Sequence, residues 1–255
     1  MEFFLNEHSC QKVFFDVGAN IGVQYRKLAE PDKYPSAPIL SRFNELFRAP
    51  PWCSVCTISF EANPLHTPRL KALQSKMEKA KAPPLFVIHA AASDADLGAA
   101  KFLLQGHQGD FSRHQRTRRL MLSASLASGG AAYASNLTVP TVDLARVVHV
   151  VAAARPRRVY MKLDVEGDEA KILLHLIKTQ ALCAIDQIDV EWHSNAPHWM
   201  DAREPSTQLA SNASAKVRRL LQTTLPFPGC KTKLTTLDDE TYYRDQKPWP
   251  QRPLC

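Results

Sequence analysis

Five short apolar runs, separated by longer amphipathic or irregular segments, form the most regular pattern in the chain. They occupy residues 13–15, 57–60, 85–90, 159–163 and 188–192, and polar residues end them or follow directly, namely Asp16, Glu61, Ser93 with Asp94, Asp164 and Glu191. Short runs rich in Val, Ile and Phe are typical of buried strands. Because parallel strands need helical crossovers, we expect a mostly parallel sheet covered by helices, with the polar ends gathered at one edge.

Helical periodicity appears between these runs. Residues 67–81 carry Leu70, Leu73 and Met77 on one face, and 168–181 and 215–225 repeat such a stripe. Near the end, apolar residues on both sides of an acidic turn at 238–240 predict an antiparallel C-terminal strand pair, 233–237 with 241–244. The predicted fold class is therefore α/β: a doubly wound, mostly parallel sheet with that antiparallel pair.

Two segments interrupt the regular alternation. Residues about 31–56 contain five prolines, so the first crossover must be longer than one helix. Residues about 105–136 are rich in Gly, Ser, Ala and Arg without a sustained period, and we interpret them as a mobile loop on the substrate side. Both are treated as insertions in a single domain spanning residues 1–255.

Composition and charge limit the kinds of binding partner and the compartments that we expect for this chain. No run approaches the roughly 20 apolar residues of a membrane span, and the N-terminus lacks a signal-peptide pattern. A soluble chain is expected, in the cytoplasm or, if an upstream targeting segment exists, in the secretory lumen. The net charge of +7 permits anionic partners. Its arginine-rich run at 113–119 lacks interleaved aromatic residues, so we interpret it as solvated surface and do not expect nucleic acid binding.

The six cysteines are scattered, and only Cys53 and Cys56 lie close together. We therefore expect neither a disulfide scaffold nor structural zinc, since no second pair completes a zinc site. A disulfide stays open for a secreted chain. Two sequences fit the N-glycosylation pattern, at Asn136 and Asn212.

A glycine turn directly after the first run predicts a cofactor site. Gly18 and Gly22 lack side chains and let the main chain approach a ligand closely. Their GxxxG spacing departs from the GxGxxG fingerprint of dinucleotide binding, which disfavours NAD. Glu61 stands where nucleotide-binding sheets place a carboxylate for the ribose hydroxyls. The predicted cofactor-binding residues are Asp16, Gly18, Asn20, Gly22, Glu61, Ala62, Ser93, Asp94 and Asp164.

These segments, in order, resemble the FkbM family of methyltransferases. The resemblance is carried by DVGANIG from Asp16, FEANP from Phe60, AASDADLG from Ala91, VPTVDLA from Val139 and MKLDVEGDE from Met161. It implies a class I Rossmann-like fold that binds S-adenosyl-L-methionine. It further implies O-methylation of a hydroxyl group on a small-molecule or glycan acceptor.

The last two strands end in an acidic patch with one imidazole: Asp164, Glu166, Glu169, Asp189, Glu191 and His193. An alcohol acceptor must lose its proton during methyl transfer, so we predict Asp164, Glu166 and His193 as catalytic residues. Lys162 can instead pair with a carboxylate. Carboxylates also suit divalent cations, but their spacing does not demand one, and no metal is predicted.

Three other functions stay open. One is a nicotinamide-dependent oxidoreductase on the same sheet. Another is an RNA-binding or regulatory protein that uses the arginine run against phosphates. The third is a pseudo-enzyme that binds the cofactor without turnover. The oligomeric state is not predicted.

Overall fold

The computed structural model describes the chain except for residues 49, 97, 105–123, 127–136, 166, 194–218, 220–228, 240 and 242–244. The strands are β1 (Lys12–Val17), β2 (Val55–Phe60), β3 (Leu85–Ile88), β4 (Ala91–Ser93), β5 (Ala99–Leu104), β6 (Ala124–Leu126), β7 (Thr138–Asp143), β8 (Arg158–Leu163), β9 (Gln187–Val190) and β10 (Lys233–Thr236). The helices are α1 (Glu2–Glu7), α2 (Val23–Ala29), α3 (Ile39–Phe47), α4 (Thr67–Lys79), α5 (Leu144–Ala153) and α6 (Glu169–Lys178), with 3-10 turns at Pro31–Lys33 and Ala181–Ala184.

The larger sheet has six strands in the order β10-β9-β8-β1-β2-β3, and all neighbours are parallel. The chain begins at the centre with β1, builds outward through β2 and β3, and then returns to the other side of β1 with β8. This reversal is the switch point of a doubly wound sheet, outside whose carboxyl ends ligands bind. The predicted α/β Rossmann-like class is confirmed.

Alternation along β1 explains why both faces of this sheet are covered. Val13 and Phe15 pack into a cluster with residues of α5 and α6, such as Val148 and Ile172. Phe14, which points the other way, packs against Phe43 and the rest of α3. Because successive strand side chains face opposite sides, a strand with apolar residues at consecutive positions requires a covering layer on each face.

A second, smaller sheet has the order β4-β7-β5-β6. β4 runs parallel to β7, whereas β5 runs antiparallel to both β7 and β6. The apolar runs did not predict this sheet, because its strands are short or carry no clear alternation. The side chain of Asp143 at the end of β7 caps α5 by accepting the N–H groups of Ala145 and Arg146.

The structure refines two sequence predictions about the elements. β10, the first strand of the predicted antiparallel C-terminal pair, pairs in parallel with β9. Its predicted partner at 241–244 lies outside the described residues except for Thr241, so the antiparallel pairing stays a prediction. The proline-rich segment is less irregular than expected, since it holds α3 between its prolines. The predicted helix at 215–225 lies outside the described residues except for Arg219, and most of 105–136 does as well.

The six cysteines form three disulfides, which corrects the expectation of no disulfide framework. The bonds join Cys10 to Cys56, Cys53 to Cys255, and Cys183 to Cys230. Cys53 and Cys56, although close in sequence, have different partners. Spacing could not reveal these pairs, because the bonded residues are 46, 202 and 47 positions apart and folding alone brings them together.

Among the described residues, no helix combines the length and the hydropathy that a membrane span needs.

Candidate cofactor and acid-base site

The glycine turn joins β1 to α2 at the switch point of the large sheet. Gly18 has φ +92° and Gly22 has φ +81°, in the left-handed region that favours glycine. A Cβ on Gly18 would lie 1.6 Å from the carbonyl oxygen of Asp164, so no side chain fits there. The N–H groups of Gly18 and Ala19 both donate to the carbonyl oxygen of Phe60. The turn is thereby held against the ends of β2 and β8.

Glu61 directly follows β2 and anchors this turn. Its Oε2 accepts the N–H of Asn20 at 2.6 Å, and its Oε1 accepts the N–H of Asn63 at 2.8 Å. Each carboxylate oxygen has a second lone pair, so these bonds leave acceptor capacity for a ligand. The structure thus places Glu61 beside the turn, as the sequence predicted.

Asp16 lies one residue before the end of β1 and is 1% exposed. Its Oδ2 is fully buried and has no hydrogen-bond partner among the described residues. Burial raises the pKa of Asp16 from its ordinary 3.8 to about 7, and the nearby Lys162 ammonium offsets this only in part. An unpaired buried carboxylate oxygen is costly, so its natural complement is a cationic or N–H group of a ligand.

Lys162 bridges the ends of β8 and β9. Its Nζ lies 2.6 Å from Oδ2 of Asp164 and 2.9 Å from Oε2 of Glu191. Burial lowers the pKa of Lys162, but the two carboxylates outweigh it and raise that pKa overall. Burial raises the pKa of Glu191 against the opposing charge of Lys162. The sequence prediction that Lys162 pairs with a carboxylate is confirmed.

His193 completes this group, which we call the edge cluster: Asp16, Lys162, Asp164, Glu191 and His193. The Nε2 atom of His193 lies 3.9 Å from Oδ1 of Asp164. Its Nδ1 atom lies 2.8 Å from Oε1 of Glu169, the first residue of α6. The imidazole is therefore held between a buried carboxylate and the carboxyl edge of the sheet.

Asp189 does not belong to the acidic patch, which corrects the sequence interpretation. Asp189 and Glu191 are two positions apart, but Asp189 lies within β9 and is fully buried. Its carboxylate accepts from the Tyr160 hydroxyl at 2.9 Å and from Nε of Arg42 at 3.0 Å, on the side covered by α3. Glu191 follows the strand end and turns instead to Lys162. The acidic patch is thus smaller than its sequence spacing suggested.

The remaining predicted residues follow β2, lie at or just after the end of β4, or fall outside the described part of the chain. Ala62 is half-buried and packs near Ala91. Ser93 is buried at the end of β4, and its Oγ lies 3.2 Å from Oδ1 of Asp94. Burial alone would raise the pKa of Asp94, but the Lys171 ammonium at 2.9 Å lowers it overall. Glu166 lies outside the described residues.

Asp164, Glu191 and His193 offer oxygen and nitrogen atoms within 4.8 Å of one another. Such a group can in principle hold a cation. Here the ammonium of Lys162 already lies between the two carboxylates and supplies positive charge to them. This single positive charge compensates the two carboxylates in part.

Sequence reasoning missed two residues that affect the site through contacts with other segments, Asp239 and Glu169. Asp239, expected in an exposed turn, is buried and pairs with Lys27 of α2 at 2.8 Å. Lys27 is in turn one of the charges that act on Asp16. Glu169 was noted only as part of the acidic patch, whereas it contacts the imidazole directly. Its position at the start of a helix next to MKLDVEG was the available signal.

A doubly wound sheet with a glycine turn at its switch point defines a class of α/β proteins that bind nucleotide-type cofactors. Within that class, the family described as Methyltransferase FkbM domain matches residues 16–222. The chain therefore belongs to the FkbM methyltransferase family. No curated protein and no solved structure matches it.

Proposed function

We propose that this protein is an S-adenosylmethionine-dependent O-methyltransferase acting on a hydroxyl of a sugar or small molecule. The observation that carries the proposal is Oδ2 of Asp16, which has no hydrogen-bond partner among the described residues and lies two positions before Gly18 of the glycine turn. The cofactor has a matching chemistry, namely an ammonium group and a ribose. Two features of this chain thus fit it: a buried acceptor without a partner and a glycine turn that brings main chain close to a ligand.

In this proposal the chain's own residues divide the binding work. Asp16 accepts the ammonium group, and Glu61 accepts the ribose hydroxyls with its remaining lone pairs. Gly18, Asn20 and Gly22 bring main chain against the ligand, while Ala62, Ser93 and Asp94 border the adenine end. Bound S-adenosylmethionine supplies an electrophilic methyl group. Residues 1–255 act as one methyltransferase domain.

The edge cluster supplies the acid-base chemistry. An acceptor hydroxyl loses its proton as its oxygen bonds to carbon, and a positioned base contributes typically about 10²–10⁴-fold to such steps. His193 is the base best placed by its contacts, and Asp164 and Glu166 are the other candidates. Lys162 holds the carboxylate of Asp164 in one orientation through a 2.6 Å contact.

Calorimetry with S-adenosylhomocysteine and with NADH tests the cofactor, because an oxidoreductase would bind the second and not the first. Glu61→Ala should weaken S-adenosylhomocysteine binding, whereas the exposed Glu45→Ala on α3 should not. Unchanged affinity of Glu61→Ala would remove Glu61 from the ribose role.

A screen of labelled methyl transfer across glycans, small alcohols and RNA tests the acceptor class. We expect transfer to a hydroxyl acceptor, with Asp164→Asn reducing turnover far more than S-adenosylhomocysteine affinity. Methylation of RNA alone would overturn the small-molecule or glycan assignment. Binding without any transfer would favour the pseudo-enzyme.

We also propose that the chain folds in an oxidising compartment such as the secretory lumen. All six cysteines are paired, and disulfides persist in such compartments but are rare in the cytosol. Peptide mapping without reduction should recover Cys10–Cys56, Cys53–Cys255 and Cys183–Cys230 from the native protein. Six alkylatable thiols in protein from its native source would place it in a reducing compartment instead.

A further inference from the structure

Glu169 is an unusual carboxylate for the first turn of a helix. Its side chain is only 1% exposed, and its Oε1 accepts the N–H of Gly167 at 3.0 Å while contacting Nδ1 of His193 at 2.8 Å. Its Oε2 is fully buried and has no hydrogen-bond partner among the described residues. A buried carboxylate with an unused oxygen costs stability, so its retention is better explained by what it does to His193.

The contact dictates which imidazole nitrogen carries the proton. An ionised carboxylate only accepts hydrogen bonds, so Nδ1 of His193 must be the donor in this pair. In a neutral imidazole the other nitrogen, Nε2, then holds a lone pair. This Nε2 is the atom that lies 3.9 Å from Asp164, on the side of the edge cluster. The ring thus presents its basic nitrogen toward the site.

We propose that Glu169 is the positioning residue that makes His193 a proton acceptor. It holds the imidazole in the Nδ1–H form with Nε2 directed to the edge of the sheet, a role that rests on the proposed O-methyl transfer. As the acceptor oxygen bonds to the methyl carbon, the bond from that carbon to the sulfonium sulfur breaks, its electron pair stays with the sulfur of the departing S-adenosylhomocysteine, and the hydroxyl proton moves to Nε2. The resulting imidazolium is offset by the carboxylate of Glu169 and later returns the proton to water.

Charged groups other than Glu169 also lie close to the imidazole of His193. Asp164 and Lys162 approach from the end of β8, and Glu191 lies near it after β9. Within this group Lys162 is bonded to the two carboxylates, so their charges are partly compensated. The carboxylate of Glu169 has no such cation in contact among the described residues. Of these described groups, Glu169 is therefore the one whose removal should change the imidazole most.

The tautomer can be measured without cofactor or substrate by ¹⁵N NMR of the His193 ring, assigned with His193→Gln. We expect the wild-type ring to carry its proton on Nδ1, and Glu169→Leu, which lacks an acceptor, to shift the population toward Nε2–H. Asp186→Asn, which alters a carboxylate before β9 that accepts the N–H of Val159, should leave the ring unchanged. A wild-type ring protonated on Nε2 would overturn the proposal even if Glu169→Leu does not fold.

The pH dependence of kcat provides the second readout, with Glu169→Gln, which retains the shape but not the charge. An imidazolium without its carboxylate is less stable, so the acidic limb should move to lower pH by about one unit. We expect kcat to fall by about tenfold or more, within the range of general-base effects. S-adenosylhomocysteine affinity should stay within a factor of about two, since Glu169 makes no cofactor contact in the proposal.

An unmoved acidic limb with intact S-adenosylhomocysteine binding would overturn the positioning role. Failure of the proposed function can be told apart from failure of this inference. If the protein transfers no methyl group to any hydroxyl, the proposed function fails, but the NMR result on the His193 tautomer still holds. The Nδ1–H form would then still be assigned to Glu169.

Discussion

Two buried ionic clusters of this protein differ in how completely they are satisfied. In the first, which we call the strap cluster, Arg26, Glu30, Tyr34 and Asp245 join α2 to the C-terminal segment. The guanidinium of Arg26 donates to Glu30, to Asp245 and to the carbonyl oxygens of residues 247 and 248. The edge cluster, by contrast, leaves Oδ2 of Asp16 without a partner among the described residues.

The difference follows from the use of donors and acceptors. The five N–H groups of Arg26 donate to four acceptor atoms, since Oε2 of Glu30 accepts two of them, and the guanidinium also lies over the ring of Trp249. The strap cluster, in which the donors of Arg26 are all used, attaches the C-terminal segment. A cluster with an unpaired buried acceptor lowers the stability of the free protein, and a ligand that pairs with this acceptor raises the stability again. Burial of charge alone therefore does not distinguish a structural site from a functional one.

The largest effect is expected from Arg26→Ala. It leaves the carboxylates of Glu30 and Asp245 buried at 2% and 0% exposure without their main cation. Breaking a buried pair in this way costs about 3–5 kcal/mol. Chemical denaturation would measure the loss.

Lys162→Met is the matched change in the edge cluster, where Asp164 is 23% exposed and solvent can relieve the unpaired charge. We expect a smaller loss in free energy of unfolding than for Arg26→Ala. Equal losses would show that the two clusters do not differ as we describe.

Gly18→Ala should strongly weaken cofactor binding at the glycine turn while leaving the strap cluster intact. The new Cβ would lie 1.6 Å from the carbonyl oxygen of Asp164, so the turn must move away from β8. Calorimetry should show S-adenosylhomocysteine affinity lower by about 100-fold or more, equivalent to ~2.8 kcal/mol. Gly229→Ala is the control, since Gly229 has φ +90° but no atom within 4 Å of its Cβ position. An equal loss of S-adenosylhomocysteine affinity in both variants would indicate that backbone strain alone causes the loss.

Asp16 should make cofactor affinity depend on pH. Its raised pKa of about 7 means that the free carboxyl is mostly protonated at pH 6 and mostly ionised at pH 8. Since the ammonium group needs the ionised form, S-adenosylhomocysteine affinity should rise about tenfold over this interval. Asp16→Asn should flatten the rise. A wild-type affinity that falls or stays constant would contradict the proposed contact.

The same shift predicts the sign of the effect of Asp16 on stability without ligand. The pKa of this carboxyl is 3.8 in the unfolded chain, whereas burial raises the pKa of Asp16 in the folded protein to about 7. Between these values the folded state binds more protons, so stability contributed by Asp16 falls as pH rises. Denaturation at pH 5 and pH 7 should show a smaller decrease for Asp16→Asn than for wild type.

The smallest effect is expected from Arg158→Ala. Its partner Asp186 lies 3.2 Å away, and the two side chains are 55% and 37% exposed. Exposed pairs typically contribute about 0–1 kcal/mol, so the free energy of unfolding should change by no more than that. A larger loss would show that exposure is a poor guide to the value of ion pairs in this fold.

Some of the site was predictable because its cause is local. β1 and β2 each have four apolar residues out of six, and the glycine turn follows β1 while Glu61 follows β2. Strand ends of a parallel sheet meet at one edge, so these residues had to be near each other. Strand alternation could not have separated Asp189 from Glu191, because residues two positions apart face the same side; the end of β9 at Val190 separates them.

Other features depended on contacts between distant segments. Lys27 meets Asp239, and Cys53 meets Cys255, across most of the chain. Six cysteines allow 15 pairings, and spacing does not choose among them. The direction of β10 was also undetermined, because a strand's own residues do not specify the neighbour beside which it lies.

By itself, the sequence determined the parallel sheet, the glycine turn and the carboxylates at the strand ends, because hydrophobic periodicity and backbone sterics act over a few residues. Only the tertiary structure decided which of these charges are satisfied. Lys162 partly compensates Asp164 and Glu191, Arg26 satisfies the carboxylates of the strap cluster, and Asp16 and Glu169 each have an oxygen without a hydrogen-bond partner among the described residues. Compensation depends on distances between side chains from separate elements, and packing alone sets those distances.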